Sequence, residues 1–475
     1  MIVRDEERFL DDCLSSVHGI ADEIVVADTG SRDATIPIAE RHGAKVVRHA
    51  WSDNFAAARN CSLAPATGDY ILILDADERL APETANHLRQ AVDRGGWDLA
   101  FLPFVNIGDD GQPCGRQWEA PRVYRRTPGL RYIGRIHEQM LQPLDSIRAT
   151  SIASTVMHYG YQTEVHGAKN KANRNRELLE KALNDPEARD PILRTNYLYH
   201  WSNLANGREL LDRFSNFTSY VAENWGDEPP RLPWVTGGLA EYCRLLNDVH
   251  RYEEAAALAH KLLDRHGECP LLRYILARWH AAEERTAEAE AELRIALESP
   301  PRISAEHRRY TLDVPLIQSR ARYLLGLIRE SQGRMPEAEE FYRDAWTAEP
   351  QQEAYLRALL CAQVRLANFH EAATTLARHP AIGSGLEPSL DCLGLALALF
   401  NQSAGGLAFW GERVKLSAPQ FPPAQRMLDR LGRMDPAQHF SLQDFPEIAN
   451  ALAITPELGS VKFPQTARKS AARGG

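Results

Sequence analysis

The stretch that decides the fold is Tyr70-Ile71-Leu72-Ile73-Leu74-Asp75-Ala76-Asp77-Glu78. Its first five residues are a fully apolar run of strand length, and a cluster of carboxylates follows at once. In extended backbone, residues two apart share a face. Asp75 and Asp77 are therefore expected to present their carboxylates together at the carboxyl end of a buried strand, the edge at which open α/β sheets bind ligands. Paired hard oxygen ligands suit Mg2+ or Mn2+ bridging to a diphosphate. The competing reading is a solvated loop in which Asp77 caps the next helix.

Outward from this strand, the chain alternates strand-like and helix-like segments. Glu23 to Ala27 (EIVVA) is an apolar run that ends in the turn Asp28-Thr29-Gly30-Ser31. Ser31 and Asp33 are placed to cap a helix that runs to about His42 and stops at Gly43. Lys45 to Arg48 reads as a strand. Phe55 to Ala66 reads as a helix closed by Gly68, and Pro82 to Asp93 as a helix with proline in its first turn. Strands separated by helices of this length predict βαβ units and a parallel sheet. After Asp98, strands and turns such as Pro128-Gly129 predict an antiparallel extension. Asp28, at a strand end, can either accept the imide N–H of a uracil ring or hydrogen-bond its own turn.

From about Lys169 the strand signals vanish and the sequence becomes helical. Glu-Ala dipeptides place alanines at Ala255, Ala289, Ala338 and Ala372, at spacings of 34, 49 and 34. The fullest unit is Ser319 to Pro350, with Leu325-Gly326, Ala338, Tyr342, Ala345 and Pro350 in order. That order resembles the tetratricopeptide repeat, a 34-residue helix-turn-helix. The longer gap fits one repeat plus an insertion near Pro300 to Val314. A degraded unit is expected at Leu393-Gly394, Gly406 and Trp410. The polar, basic tail from Phe463 to Gly475 is expected to be disordered.

Composition narrows the function. The chain has 475 residues, 44% hydrophobic and 25% charged, as in a soluble multidomain protein. A net charge of -9 argues against a nucleic-acid partner. No run approaches the ~18 apolar residues of a transmembrane helix. The N-terminus, charged from Arg4 onward, lacks a signal-peptide core, so a cytoplasmic location is expected. Seven scattered cysteines read as buried thiols in a reducing compartment.

Met1-Ile2-Val3-Arg4-Asp5-Glu6-Glu7, the Asp28 turn, Ala58-Arg59-Asn60, Ala66-Thr67-Gly68-Asp69 and Asp75-Ala76-Asp77 occur in that order. The series resembles the motifs of family 2 glycosyltransferases of the GT-A fold. Fusion to tetratricopeptide repeats is similar to a bacterial subgroup that includes the sublancin S-glycosyltransferase, an enzyme type that glycosylates a cysteine in a peptide. The resemblance implies a Rossmann-like α/β GT-A nucleotide-diphospho-sugar transferase domain followed by an all-α tetratricopeptide-repeat solenoid. It divides the chain into a transferase domain (1–165), a helical linker (166–202), a repeat domain (203–435) and a C-terminal tail (436–475), partly disordered. It implies a UDP-sugar donor, a divalent metal and inversion at the anomeric carbon. Asp28 would contact the base, Arg59 the nucleotide, Asp75 the ribose or metal, and Asp77 the metal. In the family, apolar residues precede the Met-Ile-Val position, so the first strand is expected to be short and weak.

Gly134-Arg135-Ile136-His137-Glu138 and Met157-His158-Tyr159-Gly160-Tyr161 are similar to further segments of the same subgroup. Inverting transfer needs a base on the acceptor side. Glu138 is the candidate, His137 its orienting partner or a phosphate ligand, His158 a further metal or phosphate contact, and Arg135 a cation for the leaving diphosphate. The expected acceptor is a peptide or protein recruited by the repeats; a homodimer is left open. The rival readings are transfer to an envelope polysaccharide or lipopolysaccharide core, and a repeat scaffold with a decayed transferase domain.

Overall fold

The computed structural model describes residues 1–142, 147–160, 168–230, 232–298, 314–379, 388–401 and 403–431. The tail from Phe463, Tyr161 and nearly all of the expected insertion near Pro300 lie outside them. The chain divides into two compact units, one built on residues 1–239 and the other on residues from 240 onward.

The first unit opens with β1 (Ile2–Val3), α1 (Leu10–Ser16), β2 (Val25–Asp28), α2 (Thr35–Arg41) and β3 (Lys45–Arg48). These three strands form a parallel sheet in the order β1-β2-β3, with Val3 opposite Asp28 and Asp28 opposite Arg48. The short β1 is present, and the Met1 carbonyl accepts the Ala27 N–H at 2.9 Å. The residue at the N-cap position of α2 is Ala34, with no side-chain bond of its own, but Asp33 Oδ1 accepts the N–H of Thr35, the first helical residue, at 3.0 Å, so the expected cap is made by Asp33 and not by Ser31. Both also lace the turn to the first motif: Ser31 Oγ accepts from the Asp5 N–H at 3.0 Å, and Asp33 Oδ2 from the Glu7 N–H at 3.1 Å.

Next come α3 (Phe55–Leu63), β4 (Tyr70–Leu72), β5 (Glu78–Leu80), α4 (Pro82–Arg94), β6 (Leu99–Ile107) and β7 (Pro113–Arg125). They are followed by β8 (Arg131–Ile133), β9 (Gln139–Leu141), β10 (Ala149–Ser151) and β11 (Val156–His158). The second sheet runs β4-β7-β6-β11-β5, with β10 also on β6, and β8 pairs with β9. The parallel sheet expected through residue 74 is therefore broken at β4. This three-residue strand lies antiparallel to the long β7, with Ile71 opposite Tyr124. The antiparallel extension after Asp98 supplies the partner that β4 needs for its backbone groups. One core layer gathers Leu74, Leu80, Leu88, Leu102, Phe104, Val123 and Val156. A second holds Val3, Leu10, Leu14, Val26, Ile38 and Ala76.

Helices α5 (Ala168–Leu183), α6 (Pro191–Ser202), α7 (Gly207–Trp225) and α8 (Pro233–Asp248) follow. Leu178, Leu179, Ala182, Leu193 and Tyr197, within the segment expected as a helical linker, share a buried cluster with Ile136.

The second unit is a series of helical hairpins: α9 (Tyr252–His266), α10 (Pro270–Ala282), α11 (Thr286–Glu298), α12 (Val314–Ser331), α13 (Met335–Ala348), α14 (Glu353–Arg365) and α15 (Phe369–Ala377). It ends with α16 (Pro388–Phe400), α17 (Ala404–Ser417) and α18 (Pro422–Leu431). The four phased alanines, Ala255, Ala289, Ala338 and Ala372, are each the fourth residue of α9, α11, α13 and α15, and each is fully buried. Small residues there let paired helices approach. The glycines work the same way: a Cβ on Gly326 would strike the Tyr342 ring, and one on Gly394 the Trp410 ring. The 15-residue excess falls between α11 and α12, outside the described residues.

The turns repeat as closely as the alanines. Two residues before α9, α11, α13 and α15 stand His250, Glu284, Gly333 and Ala367, with φ of 63°, 59°, 75° and 61°. In each, the next N–H reaches back to a carbonyl five residues earlier, as from Asn368 to Gln363 at 2.8 Å. This is the αL helix stop that glycine fills without strain, yet only one of the four is glycine. Ala367→Gly should therefore stabilise the repeat unit by about 0.5–1 kcal/mol, and Gly333→Ala should destabilise it by about 1 kcal/mol. Nothing lies within 4 Å of a Cβ on Gly333, so the effect there is backbone alone. Urea unfolding midpoints check both; shifts of the opposite sign would refute the assignment.

Candidate functional site

The site forms where the ends of β2, β4 and β11 meet the amino-terminal half of α3 and the loop Gly134–Glu138. Asn54 caps α3 by accepting the Ala57 N–H at 3.0 Å. The motif Ala58-Arg59-Asn60 then divides its labour. Ala58 is fully buried. Asn60 pairs both its amide groups with the backbone of Tyr132, at 2.9 and 2.8 Å. Arg59 is left facing the site.

Arg59 joins two carboxylates. Its Nε donates to Glu138 Oε1 at 2.5 Å and its Nη2 to Asp75 Oδ1 at 3.0 Å. Burial works against the charge of Arg59, but Asp75 and Glu138 outweigh it and hold the guanidinium well above its ordinary value. Burial likewise disfavours the Asp75 anion, while Arg59 and Arg122 more than compensate and keep its carboxyl below the usual range. Arg122 Nη2 lies 3.9 Å from Asp75 Oδ2 and is hydrogen-bonded to Glu78. Glu78 is only 3% exposed, and burial and the neighbouring Asp75 raise its carboxyl to about 7.

The Asp75–Glu78 segment is a turn, not extended chain. The Glu78 N–H donates to the Asp75 carbonyl at 3.0 Å, and the Asp75 N–H returns to Glu78 Oε2 at 3.0 Å. Ala76 is sunk in the core below. In place of the expected extended chain with both carboxylates on one face, Asp75 faces arginines and Asp77 faces His158, 3.4 Å from Oδ2 to Nε2. Strand register makes that contact, because His158 stands opposite Glu78 and the Tyr159 N–H bonds the Asp77 carbonyl at 2.9 Å. His158 Nδ1 lies 2.9 Å from Asn106 Oδ1, an acceptor, which turns Nε2 toward Asp77. Burial lowers the affinity of His158 for a proton, but Asp77 outweighs it and the net shift is upward. A Cβ on Gly160 would fall 2.7 Å from His158 Nε2 and closer still to Asp77, so glycine keeps this cradle open.

Asp28 is buried, and its two carboxylate oxygens accept the N–H groups of Gly30 and Ser31 at 3.1 Å each. His137 has φ of 52° and stacks on His200, with centroids 3.6 Å apart and planes at 9°. Arg135 turns elsewhere: its guanidinium bonds Asp185 and the Asp53 carbonyl at 3.1 Å. Arg122, Glu78, Asn106 and His200 were not signalled by the sequence reading. Of these, only Glu78 adjoins a candidate motif, directly after Asp75-Ala76-Asp77. All seven cysteines are free thiols, but Cys61 is half-buried and Cys114 exposed, against the expectation of burial.

Among the described residues, no three His, Cys, Asp or Glu side chains converge as a metal-ligand set. The Asp77–His158 pair still fits a divalent cation that takes one or two protein ligands and completes its shell with phosphate and water. No helix among the described residues is long and apolar enough to cross a membrane.

Residues 1–156 match the family model described as glycosyl transferase family 2. The N-terminal part of the chain is thus a family 2 glycosyltransferase domain, and the C-terminal part is built of tetratricopeptide-like repeats. A TPR repeat-containing protein of Synechococcus elongatus is 40% identical over 194 residues, covering 39% of this chain and 47% of that protein. The SPbeta prophage-derived glycosyltransferase SunS of Bacillus subtilis is 26% identical over 197 residues, covering 39% of this chain and 45% of that protein. The chain spans about half the length of these curated relatives. The crystal structure of S. aureus TarS with UDP-GlcNAc aligns at 15% identity and a TM-score of 0.28, over 60% of this chain and 90% of that one.

His200 supplies a test of the local electrostatics. Burial, then repulsion from His137, pushes its imidazole from 6.5 down to about 3. The unfolded ring takes a proton near its ordinary value and the folded ring does not. Acid therefore favours the unfolded chain throughout the window between those two values, by about 1.4 kcal/mol per pH unit. His200→Phe removes this term. The stability lost between about pH 7 and about pH 5 should be smaller in the variant by about 2 kcal/mol, read from urea unfolding. An unchanged acid slope would contradict the assignment.

Proposed function

We propose that the N-terminal unit transfers a sugar, with inversion, from a UDP-sugar to an acceptor whose nucleophile is deprotonated by Glu138. The observation that carries this reading is the ion-pair chain Glu138–Arg59–Asp75 lying beside the Asp77–His158 pair. Through Arg59, Glu138 on the loop between β8 and β9 is tied to the turn after β4, whose Asp77 meets the end of β11; this juxtaposition supports a base and a cation site acting together.

Each side chain has a role in this proposal. Asp28 meets the base; its carboxylate retains acceptor capacity beyond the two turn N–H groups. Arg59 faces the nucleotide, held ready by Asp75. Asp77 and His158 would hold Mg2+ or Mn2+, which supplies charge neutralisation at the diphosphate when bound. Glu138 takes the proton of the acceptor hydroxyl or thiol as that atom bonds the anomeric carbon. The bond from that carbon to UDP breaks, and its electron pair leaves on the diphosphate. Arg135, engaged with Asp185, is left out of this scheme.

The acceptor is proposed to be a peptide or protein. Stacked helical repeats form a concave surface suited to an extended chain, and the resemblance to a peptide-modifying subgroup points the same way. The curated relative SunS is, by name, a glycosyltransferase.

Two measurements test the reading. Glu138→Gln should lower turnover of a UDP-sugar by about 10²- to 10⁴-fold, the usual loss on removing a general base, while UDP affinity stays near wild type; wild-type turnover would remove Glu138 from the mechanism. UDP and Mn2+ together should raise the melting temperature, and chelator or Asp77→Ala should abolish the rise. A full shift in chelator would sink the metal assignment.

A further inference from the structure

The Glu138 loop is an improbable piece of backbone. Gly134 has φ of 97° and His137 has φ of 52°. For a side-chain-bearing residue, a left-handed conformation costs about 1–2 kcal/mol, so the surroundings must impose it. Those surroundings are one face of one helix. Leu193, Asn196, Tyr197 and His200 recur on α6 at helical spacing, and all four address this loop.

Leu193 Cδ2 lies 3.6 Å from where a Cβ on Gly134 would stand, and Leu193 shares a buried cluster with Ile136. Tyr197, 1% exposed, accepts the Arg135 N–H through its hydroxyl at 2.8 Å. Asn196, also 1% exposed, donates from Nδ2 to the His137 carbonyl at 3.2 Å. His200 stacks flat on the His137 ring. Four successive residues, 134 to 137, are thus each fixed from α6, and the next residue is Glu138. Arg59 then takes the Glu138 carboxylate from the opposite side. A carboxylate held between a backbone clamp and a cation has little freedom to wander.

The placement in the chain gives this arrangement its interest. The family match ends at residue 156, and α6 begins at Pro191. We propose that α6 is an added component of the active site, and that Tyr197, Asn196 and His200 are positioning residues that set the Glu138 carboxylate against the acceptor. This rests on the reading of Glu138 as the base. The alternative is that α6 is ordinary core packing, whose loss would lower stability and leave the chemical step alone.

The test uses the full chain with Mn2+, UDP as binding probe, and release of UDP from UDP-glucose and UDP-N-acetylglucosamine as the turnover probe. Tyr197→Phe removes one oxygen and keeps the ring, so it should fold. His200→Ala removes the stack. Each should lower kcat by about 10- to 100-fold, the scale of a small misplacement of a catalytic group, with KM and UDP affinity near wild type. His200→Phe, which can still stack, should restore most of the loss. In a Glu138→Gln background neither change should cost anything further, because both act through that carboxylate.

Wild-type kcat in folded Tyr197→Phe and His200→Ala would overturn the proposal. So would losses that persist in full in the Glu138→Gln background. If Glu138→Gln itself turned over at the wild-type rate, the base assignment would fall separately. Amide exchange then decides the clamp: residues 134–138 should exchange at least ~10-fold faster in Tyr197→Phe, since their protection reflects local opening. Unchanged exchange there would overturn the role of α6 as well.

Discussion

Everything at this site hangs on a half-buried guanidinium that bonds two carboxylates. Arg59 comes from α3, Asp75 from the turn after β4, and Glu138 from the loop before β9. The Asp75 side chain is 37% exposed, so solvent screens this network and it contributes less than a fully buried ion pair would. The arrangement still fixes the relative positions of three elements far apart in sequence. It also sets the Asp75 and Glu138 carboxylates on two different nitrogens of one guanidinium.

The neighbouring packing serves that network. Ala76 is buried, so the backbone between Asp75 and Asp77 is anchored and the two carboxylates part company toward different partners. Asn60 plugs the edge of β8 with its side-chain amide, which steadies the helix that carries Arg59. The Asp5-to-Glu7 segment performs a similar service for the Asp28 turn. Asp5 Oδ1 accepts the Arg32 N–H at 2.7 Å, and Glu7 Oε2 the Ala34 N–H at 3.0 Å. Asp5, Glu7 and Asn60 thus spend side-chain oxygens or amides on backbone groups around the site.

Much of this was legible from local pattern. The apolar run before Asp75, the turn at Asp28 and the phased alanines each follow from short-range periodicity, and the structure carries a strand, a turn and four matching helices at those places. What was not legible depends on pairing across the chain. Nothing in Tyr70 to Leu72 says that its partner is an antiparallel strand some fifty residues on. Nor does a lone Arg122 in a strand announce a contact with Glu78. The apolar run predicts extended geometry through Asp77, but a tight turn closed by Glu78 prevails because it satisfies backbone groups that the end of β4 leaves open. His200 was invisible for the same reason: its partner, His137, lies on a loop sixty-odd residues earlier.

The most direct test of the account is calorimetric titration of UDP, with Mn2+ present, into the full chain carrying Arg59→Lys. Lysine keeps one positive charge but cannot offer two directed donors to Asp75 and Glu138 at once. If Arg59 organises the nucleotide side of a glycosyltransferase site, the folded variant should bind UDP at least ~10-fold more weakly, a loss of about 1.4 kcal/mol. Wild-type affinity in the folded variant would show that the nucleotide binds elsewhere and would contradict the account.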